Sequence, residues 1–362
     1  MSEDIEMRPY RDGDEEGIVE LLQLSFPFWA KRENALQTWK WKFVNNPLNI
    51  MVPVALKRGK VIGVTPNSLM NFKLGASVVK ADYGGDSAVH PDYRGLGIYT
   101  KLEFIKEKMR LEHNIQFSYF STSHPAVIKD AIKRNRTQFP FTINVMVKIR
   151  DVKQHLKMRP MKNPTIIRYG YSTLKILNGV RNALTPAQKH ADDFSIEEVS
   201  HFDNRINVFW EKIKDKYDFI IERRSEYLNW KYCDFPTIKY KVKQAVKDGE
   251  VLGYIVIELR ADDPYVEGYI VDMLVYPDRR DVSDALFQDA CGYFDDRGVN
   301  TVYYRVVKGH PYQELSSRYG FVNAQSINKI HVFCKVMAME KEFEVLRHAS
   351  PERVYYSYSE TL

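Results

Sequence analysis

Apolar residues recur at helical spacing between residue 98 and about residue 110. The positions that share one face of this predicted helix are Ile98, Leu102, Ile105 and Met109. A short apolar strand ends at Ala88 and Val89 just before the helix, and another strand begins in the segment 116–121. The pattern therefore predicts a strand, a turn, a helix and a second strand in succession.

The same alternation extends toward the start of the chain. Asp12 and Glu15 have the spacing of a capping box at the start of a predicted helix that ends near Ser25. Two apolar runs, 54–56 and 61–64, flank a turn and predict a hairpin. Helices that alternate with strands in this way are typical of an α/β domain.

A glycine-rich turn joins the strand at Val89 to the helix that follows it. Gly95 and Gly97 lack a Cβ, so the turn can adopt unusual backbone angles and a ligand can approach the backbone closely. The first N–H groups of the helix have no partner within the helix and, with the helix dipole, favour a phosphate or pyrophosphate. Arg94 adds a positive charge beside the turn. The sequence contains neither GxGxxG nor GxxxxGK[ST] at this position.

The order of these features occurs twice along the chain. The matched positions, 186 to 190 residues apart, include Trp41 and Trp230, Gly63 and Gly253, Asp86 and Asp272, Arg94 and Arg280, and His124 and His310. Such regular spacing indicates a duplicated domain. The second copy has Asp281 and Ser283 in place of Gly95 and Gly97, and an acidic side chain would repel a pyrophosphate. We therefore predict one anion site, in the first copy.

The segment Asp86–Gly97 resembles motif A of the GNAT superfamily, the acetyl-CoA-dependent N-acetyltransferases, whose pattern is [QR]xxGx[GA]. Residues Arg94–Ile98 match this pattern, and Tyr99 stands where the family usually has Gly or Ala. Two further segments, Trp39–Pro47 and Arg223–Tyr232, resemble the WxWKxxxNP and RxxEYLNWRY motifs of tandem GNAT proteins. The resemblance covers nearly the whole chain.

The resemblance implies an α/β fold with two tandem GNAT-like domains, each a mixed central sheet flanked by helices. We expect an N-terminal domain with the acetyl-CoA site over 1–150, a basic helical connector over 151–195 and a degenerate domain that shapes the substrate cleft over 196–362. Residues 148–190 hold six Lys and four Arg against Asp151 alone. We interpret the connector as a solvated linker with a helix near 165–184, and the alternative is a surface for nucleic acid, an anionic membrane or a phosphorylated ligand.

The implied function is N-acetyl transfer from acetyl-CoA, a cosubstrate, to the primary amine of a small molecule by direct attack on the thioester. An amino sugar, a nucleotide-sugar amine or an amino-acid-like metabolite would be such an acceptor. One alternative is a transferase of related fold that uses aminoacyl-tRNA, which the charge of the connector favours. Another is a CoA-binding protein without turnover, which Tyr99 and the lack of a tyrosine in 128–136 favour.

Candidate site residues fall into two groups. The resemblance implies cofactor binding by the strand end, where a backbone N–H would bind the thioester oxygen, and by the turn. These residues are Ala88, Val89, His90, Arg94, Gly95, Leu96, Gly97, Ile98 and Tyr99. An alkylammonium acceptor must lose a proton before it attacks, and a carboxylate commonly helps it to do so. Asp86 is the candidate base, with a purely structural role as an equal alternative because Asp272 occupies the same place in the second copy. Tyr119 and His124 are further catalytic candidates, and a core tyrosine and a turn histidine are the alternatives.

The amino-acid composition limits the kinds of protein that fit this interpretation. The chain has 362 residues, is 44% hydrophobic and contains no apolar run long enough for a membrane span. Three cysteines, Cys233, Cys291 and Cys334, form no CxxC pair, which favours reduced thiols in the cytoplasm and no metal site. We expect a small-molecule amine as partner and no nucleic acid.

Overall fold

A computed structural model describes residues 5–151, 154–155, 157, 193–262, 264–324, 330–337 and 340–358. The helix predicted near 165–184 lies outside them. The α-helices in the described ranges are α1 (Glu15–Ser25), α2 (Pro27–Ala30), α3 (Ala35–Trp39), α4 (Ile98–Glu112), α5 (Pro125–Lys133), α6 (Asn204–Ile213), α7 (Ser225–Leu228), α8 (Arg280–Asp296), α9 (Pro311–Arg318) and α10 (Glu340–His348). Two π-helical turns continue α3 and α7 over Lys40–Val44 and Asn229–Cys233. None of the described helices is long and apolar enough to cross a membrane.

The strands follow the predicted alternation. They are β1 (Ile5–Pro9), β2 (Ile50–Met51), β3 (Pro53–Lys57), β4 (Lys60–Val64), β5 (Asn67–Leu74), β6 (Ser77–Gly84), β7 (Ala88–Val89), β8 (Ile115–Thr122), β9 (Thr137–Gln138), β10 (Ile143–Ile149), β11 (Ser195–Val199), β12 (Phe219–Ile221), β13 (Lys241–Lys247), β14 (Glu250–Asp262), β15 (Tyr265–Val275), β16 (Thr301–Val307), β17 (Val322–Asn323) and β18 (His331–Val336). Helix α4 and the β3–β4 hairpin lie where the sequence predicts them.

The chain forms two compact units, and each combines separate stretches of sequence. The first unit consists of Met1–Phe139, Glu226–Lys239 and Val332–Val345, and the second of Pro140–Ser225, Tyr240–His331 and Leu346–Leu362. These ranges differ from the division at residue 150 that we expected from the sequence. Strand β10 belongs to the second unit, and nearly all of β18 belongs to the first.

In the first unit, strands β1, β3, β4 and β7 form one sheet, and β5, β6, β8, β18 and β9 lie side by side in another. Helix α1 packs on the first sheet through Ile18, Leu21 and Leu22, which are buried with Trp39 and Phe43. Apolar side chains on one face of α4, including Ile98 and Leu102, pack on the same sheet. The periodicity that predicts α4 is therefore the periodicity of its buried face.

The second unit contains one seven-stranded sheet in the order β11, β13, β14, β15, β16, β10, β17. Strands β15 and β16 run parallel to each other. The pairs β13–β14, β14–β15 and β16–β10 are antiparallel. Helix α8 follows β15, just as α4 follows β7 in the first unit. The mixed sheets with flanking helices confirm the α/β class that the sequence predicts.

Two tryptophans at equivalent points of the repeat meet inside the first unit. The rings of Trp41 and Trp230 stack with centroids 5.0 Å apart. Each indole N–H donates to the backbone carbonyl of the other residue, at 2.5 and 2.8 Å. A segment of the second copy is thus built into the first unit through a pair that is nearly symmetric.

Candidate functional site: a cleft between diverging strands

A cleft begins in the first unit where two neighbouring strands separate. Strand β6 pairs in parallel with β8 as far as Tyr83 and Tyr119. The chain then bends at Asp86, whose φ is +55°, and continues as β7, which pairs with β4 in the other sheet. Strand β7 and the end of β8 therefore diverge, and the helices α4 and α5 begin beside the gap.

The glycine turn is placed at one side of this gap. Gly95 and Gly97 have φ of +82° and +72°, a region that side chains with a Cβ disfavour. Gly97 is the residue before α4, and the first hydrogen bond of the helix runs from the Lys101 N–H to the Gly97 carbonyl. The N–H groups of the first turn, from Ile98 onward, are therefore left for a ligand.

One backbone N–H group on β7 points into the gap. The His90 N–H donates to Ile62 across the β4–β7 ladder at 2.9 Å. Because successive N–H groups along a strand point in opposite directions, the Val89 N–H points away from β4. It lies just before the glycine turn, at the position where the sequence predicts a donor for a thioester oxygen.

The second unit provides an internal comparison. There the Tyr276 N–H donates to Leu252 at 3.3 Å, which makes Val275 the equivalent of Val89. The Val275 N–H is already bonded to the Tyr312 hydroxyl at 2.9 Å. The residue 186 positions earlier than Tyr312 is Ala126, which is exposed in the first turn of α5. The outward N–H therefore has a side-chain partner in the second unit, and a small residue stands at the equivalent place in the first.

The helix N-terminus of the second unit is likewise closed. Asp281 lies in the first turn of α8, and its carboxylate is bound by Arg279 at 2.7 Å. The hydrogen bond from Arg279 lowers the pKa of Asp281, and the backbone N–H of Val282 contributes to the same shift. A fixed carboxylate thus occupies the position that a pyrophosphate would need.

Asp86 is held by two donors from other elements. The Lys42 ammonium lies 2.6 Å from one carboxylate oxygen, and the Trp29 indole N–H donates to the other at 3.1 Å. Burial alone would raise the pKa of Asp86, but the charge of Lys42 and the hydrogen bonds from Lys42 and Trp29 together outweigh burial and lower it. Its repeat counterpart Asp272 is also in a buried ion pair, with Arg223. These contacts favour the structural alternative for Asp86 over a role as general base.

The other two catalytic candidates occupy structural positions. Tyr119 is buried, and its hydroxyl donates to the Met70 sulfur at 2.8 Å. His124 caps α5, because its Nδ1 accepts the Ala126 N–H at 3.3 Å. These placements agree with the core tyrosine and turn histidine that the sequence left open.

The remaining predicted cofactor residues surround the turn. Ala88 and Ile98 are buried, whereas Leu96 and Tyr99 are exposed. The Arg94 Nε donates to the Val89 carbonyl at 3.2 Å, which fixes the start of the turn. Sequence reasoning missed Ala126, Lys42 and Trp29. The repeat spacing could have identified Ala126, since it aligns that residue with Tyr312.

Comparison with solved structures identifies the fold. A GCN5-related N-acetyltransferase from Anabaena variabilis matches with a TM-score of 0.60 at 12% identity, over 92% of this chain and 73% of the other. An Enterococcus faecalis protein described as a probable N-acyltransferase has a TM-score of 0.61 at 11% identity, over 94% and 74%. Saccharomyces cerevisiae N-myristoyltransferase with bound myristoyl-CoA has a TM-score of 0.58 at 8% identity, over 92% and 83%.

These likenesses confirm the predicted fold: the chain has the GNAT fold of the N-acyltransferases. The matches extend over more than nine-tenths of the chain, so the likeness includes both copies of the repeat. No family model and no curated protein matches the sequence.

Proposed function

We propose that this protein is an acyl-CoA-dependent N-acyltransferase, with acetyl-CoA as cosubstrate and the primary amine of a small molecule as acceptor. The observation that carries the proposal is the outward N–H of Val89 beside a glycine turn and a helix N-terminus. An amino sugar, a nucleotide-sugar amine or an amino-acid-like metabolite fits the proposed acceptor class. The fold is shared with proteins whose names include N-acetyltransferase and N-myristoyltransferase.

The residues of the turn fit the pyrophosphate of a coenzyme A. A Cβ built on Gly95 or Gly97 would meet no atom within 4 Å, so the space over the turn is open. N–H groups from Ile98 onward supply donors and the positive end of the helix dipole. Arg94 and Tyr99, which are both exposed, flank the turn in sequence.

The Val89 N–H is assigned to the thioester oxygen. In direct attack, the acceptor nitrogen forms a bond to the thioester carbon, and negative charge develops on the carbonyl oxygen. A fixed backbone donor stabilises that charge more than it stabilises the ground state. The acceptor nitrogen then loses its extra proton to water and the carbon–sulfur bond breaks. The thiolate leaves without a dedicated acid, because a thiol pKa near 8.5 makes it an adequate leaving group.

The acceptor ammonium must lose a proton before attack. For an amine of pKa near 10.4 this costs roughly 4 to 5 kcal/mol at pH 7. Asp86 is ionised and bound by Lys42, so we assign it to positioning the bend that aims β7. We assign the proton loss to water, and the rate is then expected to rise with pH.

The proposal is tested by binding and turnover. Acetyl-CoA is titrated into the protein by calorimetry, and thiol release is followed with a panel of small amines. Gly97→Glu is expected to abolish binding, because it forces a Cβ into a left-handed φ and places a carboxylate at the pyrophosphate position. Absence of acetyl-CoA binding by the native protein would overturn the proposal.

Gly59→Glu is the matched control for this substitution. Gly59 is also exposed, has φ of +76° and has no atom within 4 Å of a built Cβ, but it lies in the β3–β4 hairpin. It therefore carries the same backbone strain and the same new charge away from the cleft. Equal loss of binding in the two variants would show a general effect on folding instead of a site at Gly97.

A further inference from the structure

A cavity of about 670 Å³ lies in the second unit, beside the first turns of α8 and α9. Its position matches that of the proposed acyl-CoA cleft in the first unit. Its apolar part is formed by Tyr217, Val275, Tyr312 and Leu315. The Tyr312 hydroxyl accepts the Val275 N–H, and the Asp281 carboxylate lies at the N-terminus of α8. This cavity therefore suits a ligand other than an acyl-CoA.

Several charged groups at the cavity are already neutralised by a partner. Arg318 binds Asp284 at 3.1 Å. Arg353 binds Asp218 through two hydrogen bonds of 2.7 Å. Asp281 binds Arg279, as described above. These pairs hold the wall in place and leave little net charge for a ligand.

Other charged groups at the exposed rim have no such partner. Within the described ranges, neither Lys216 nor Arg280 contacts an acidic side chain, and Glu314 contacts no basic one. Glu352 also lines the cavity. Hydrogen bonds from its own backbone N–H and from the Ser350 side chain, with the nearby His310 and Arg353, lower its pKa, and no described cation lies within 4 Å of its carboxylate. The rim thus offers two cations and two carboxylates to a ligand.

His310 adds a buried donor. It lines the cavity, is 5% exposed and accepts the Tyr312 N–H at Nδ1, at 3.2 Å. The neutral ring therefore carries its proton on Nε2. No described residue accepts that proton, so Nε2–H is left for an acceptor in the cavity.

We propose that this cavity binds a small zwitterion with an apolar body, in the simplest case an aromatic or branched α-amino acid. Its carboxylate is matched by Arg280, Lys216 and the Nε2–H of His310, and its ammonium by Glu314 and Glu352. The apolar side chain of the ligand packs against Tyr217 and Tyr312. A volume of about 670 Å³ falls in the range of small-ligand sites. Binding here needs no acyl-CoA and does not depend on the proposed function.

The test compares three probes that share one apolar body. L-Phenylalanine carries both charges, 2-phenylethylamine only the ammonium and 3-phenylpropanoate only the carboxylate. Calorimetric titration of the full chain is expected to show L-phenylalanine binding at least about tenfold more tightly than either analogue, because each loses charge-assisted hydrogen bonds. Equal affinity for all three, or no binding of L-phenylalanine, would overturn the proposal.

Variants assign the binding to this cavity. Arg280→Gln is expected to weaken the binding of L-phenylalanine by about tenfold and to leave the binding of 2-phenylethylamine unchanged. Glu314→Gln is expected to leave the binding of 3-phenylpropanoate unchanged. Arg94→Gln, at the equivalent position of the first unit, is the matched control and leaves amino-acid binding unchanged. The proposal fails if Arg94→Gln weakens L-phenylalanine as much as Arg280→Gln does, or if acetyl-CoA displaces the amino acid. Amino-acid binding without any acetyl-CoA binding would instead contradict only the proposed function.

Discussion

Ala126 and its repeat counterpart Tyr312 differ at the point where a thioester oxygen is proposed to bind. In the second unit, the Tyr312 hydroxyl occupies the Val275 N–H. Ala126→Tyr is expected to place a hydroxyl on the Val89 N–H in the same way. The kcat/KM for acyl transfer should then fall by about 100-fold, the usual effect of losing one oxyanion donor. Steady-state kinetics measure this loss of kcat/KM, and acetyl-CoA calorimetry measures any change in cofactor binding separately.

Two controls separate the hydroxyl from its bulk. Ala126→Phe adds the ring without the hydroxyl and should lose less activity than Ala126→Tyr. Val127→Tyr puts the same side chain at the next position, which is also exposed, and should leave kcat/KM near the native value. Native activity in Ala126→Tyr would contradict the role assigned to Val89.

The substitution Asp86→Asn tests whether the Asp86 carboxylate has a structural or a catalytic role. Removing one member of a buried ion pair leaves the other charge uncompensated, so Asp86→Asn should lower the free energy of unfolding by about 3 kcal/mol. The rise of the rate with pH should persist, because water removes the proton in our proposal. Urea unfolding and a pH–rate profile check these expectations.

Lys42→Met completes this experiment as a double-mutant cycle. It removes the partner of Asp86, so the double variant should be destabilised by less than the sum of the single variants. A flattened pH–rate profile in Asp86→Asn, with unchanged stability, would instead identify Asp86 as the base.

At the scale of elements, the sequence pattern predicted the helices and strands that are determined by residues close together in sequence. Helix α4 follows from its apolar face and from the glycine at its start, and the hairpin follows from the turn at Gly59. The expected capping box at Asp12 and Glu15 is not what starts α1. The helix begins at Glu15, whose carboxylate accepts the Gly13 N–H and binds Lys40. Lys40 belongs to another element, so no spacing rule could have indicated it.

The N-cap of α9 makes the second unit sensitive to acid. His310 caps this helix from a buried position, and burial lowers its pKa to about 4. The unfolded chain binds a proton near pH 6.5, so the stabilising contribution is present above that pH and is lost as pH falls toward 4. The full loss is about 3 kcal/mol. Urea unfolding at pH 7 and pH 4.5 should show most of it.

His310→Asn should remove this part of the acid sensitivity. Asparagine keeps a capping oxygen but does not titrate, so the difference in stability between pH 7 and pH 4.5 should shrink by about 2 to 3 kcal/mol. His124→Asn is the control, since His124 makes the same cap on the exposed helix α5. An equal change in both variants would show that the cap itself, and not burial, causes the effect.

At the scale of the whole molecule, the repeat predicted two copies of one fold but not how the chain is shared between the units. Strands β10 and β18 are both short apolar strands at equivalent places in the repeat, so either sheet could accept either strand. Sequence pattern specifies which face of a strand is buried, and it does not specify which neighbour the strand takes. The choice depends on pairing between residues far apart in sequence, such as Ile143 of β10 with Val307 of β16.

This sharing predicts that the N-terminal segment does not fold alone. A fragment of residues 1–150 lacks Glu226–Lys239 and Val332–Val345, which complete the first unit. Strand β8 then loses its neighbour β18, and Trp41 loses the partner that bonds and stacks with it. The fragment should show no cooperative urea unfolding and little near-ultraviolet circular dichroism, and co-expression with residues 193–362 should restore both. Cooperative unfolding of the fragment by itself, with acetyl-CoA binding equal to that of the full chain, would show that the shared segments are dispensable.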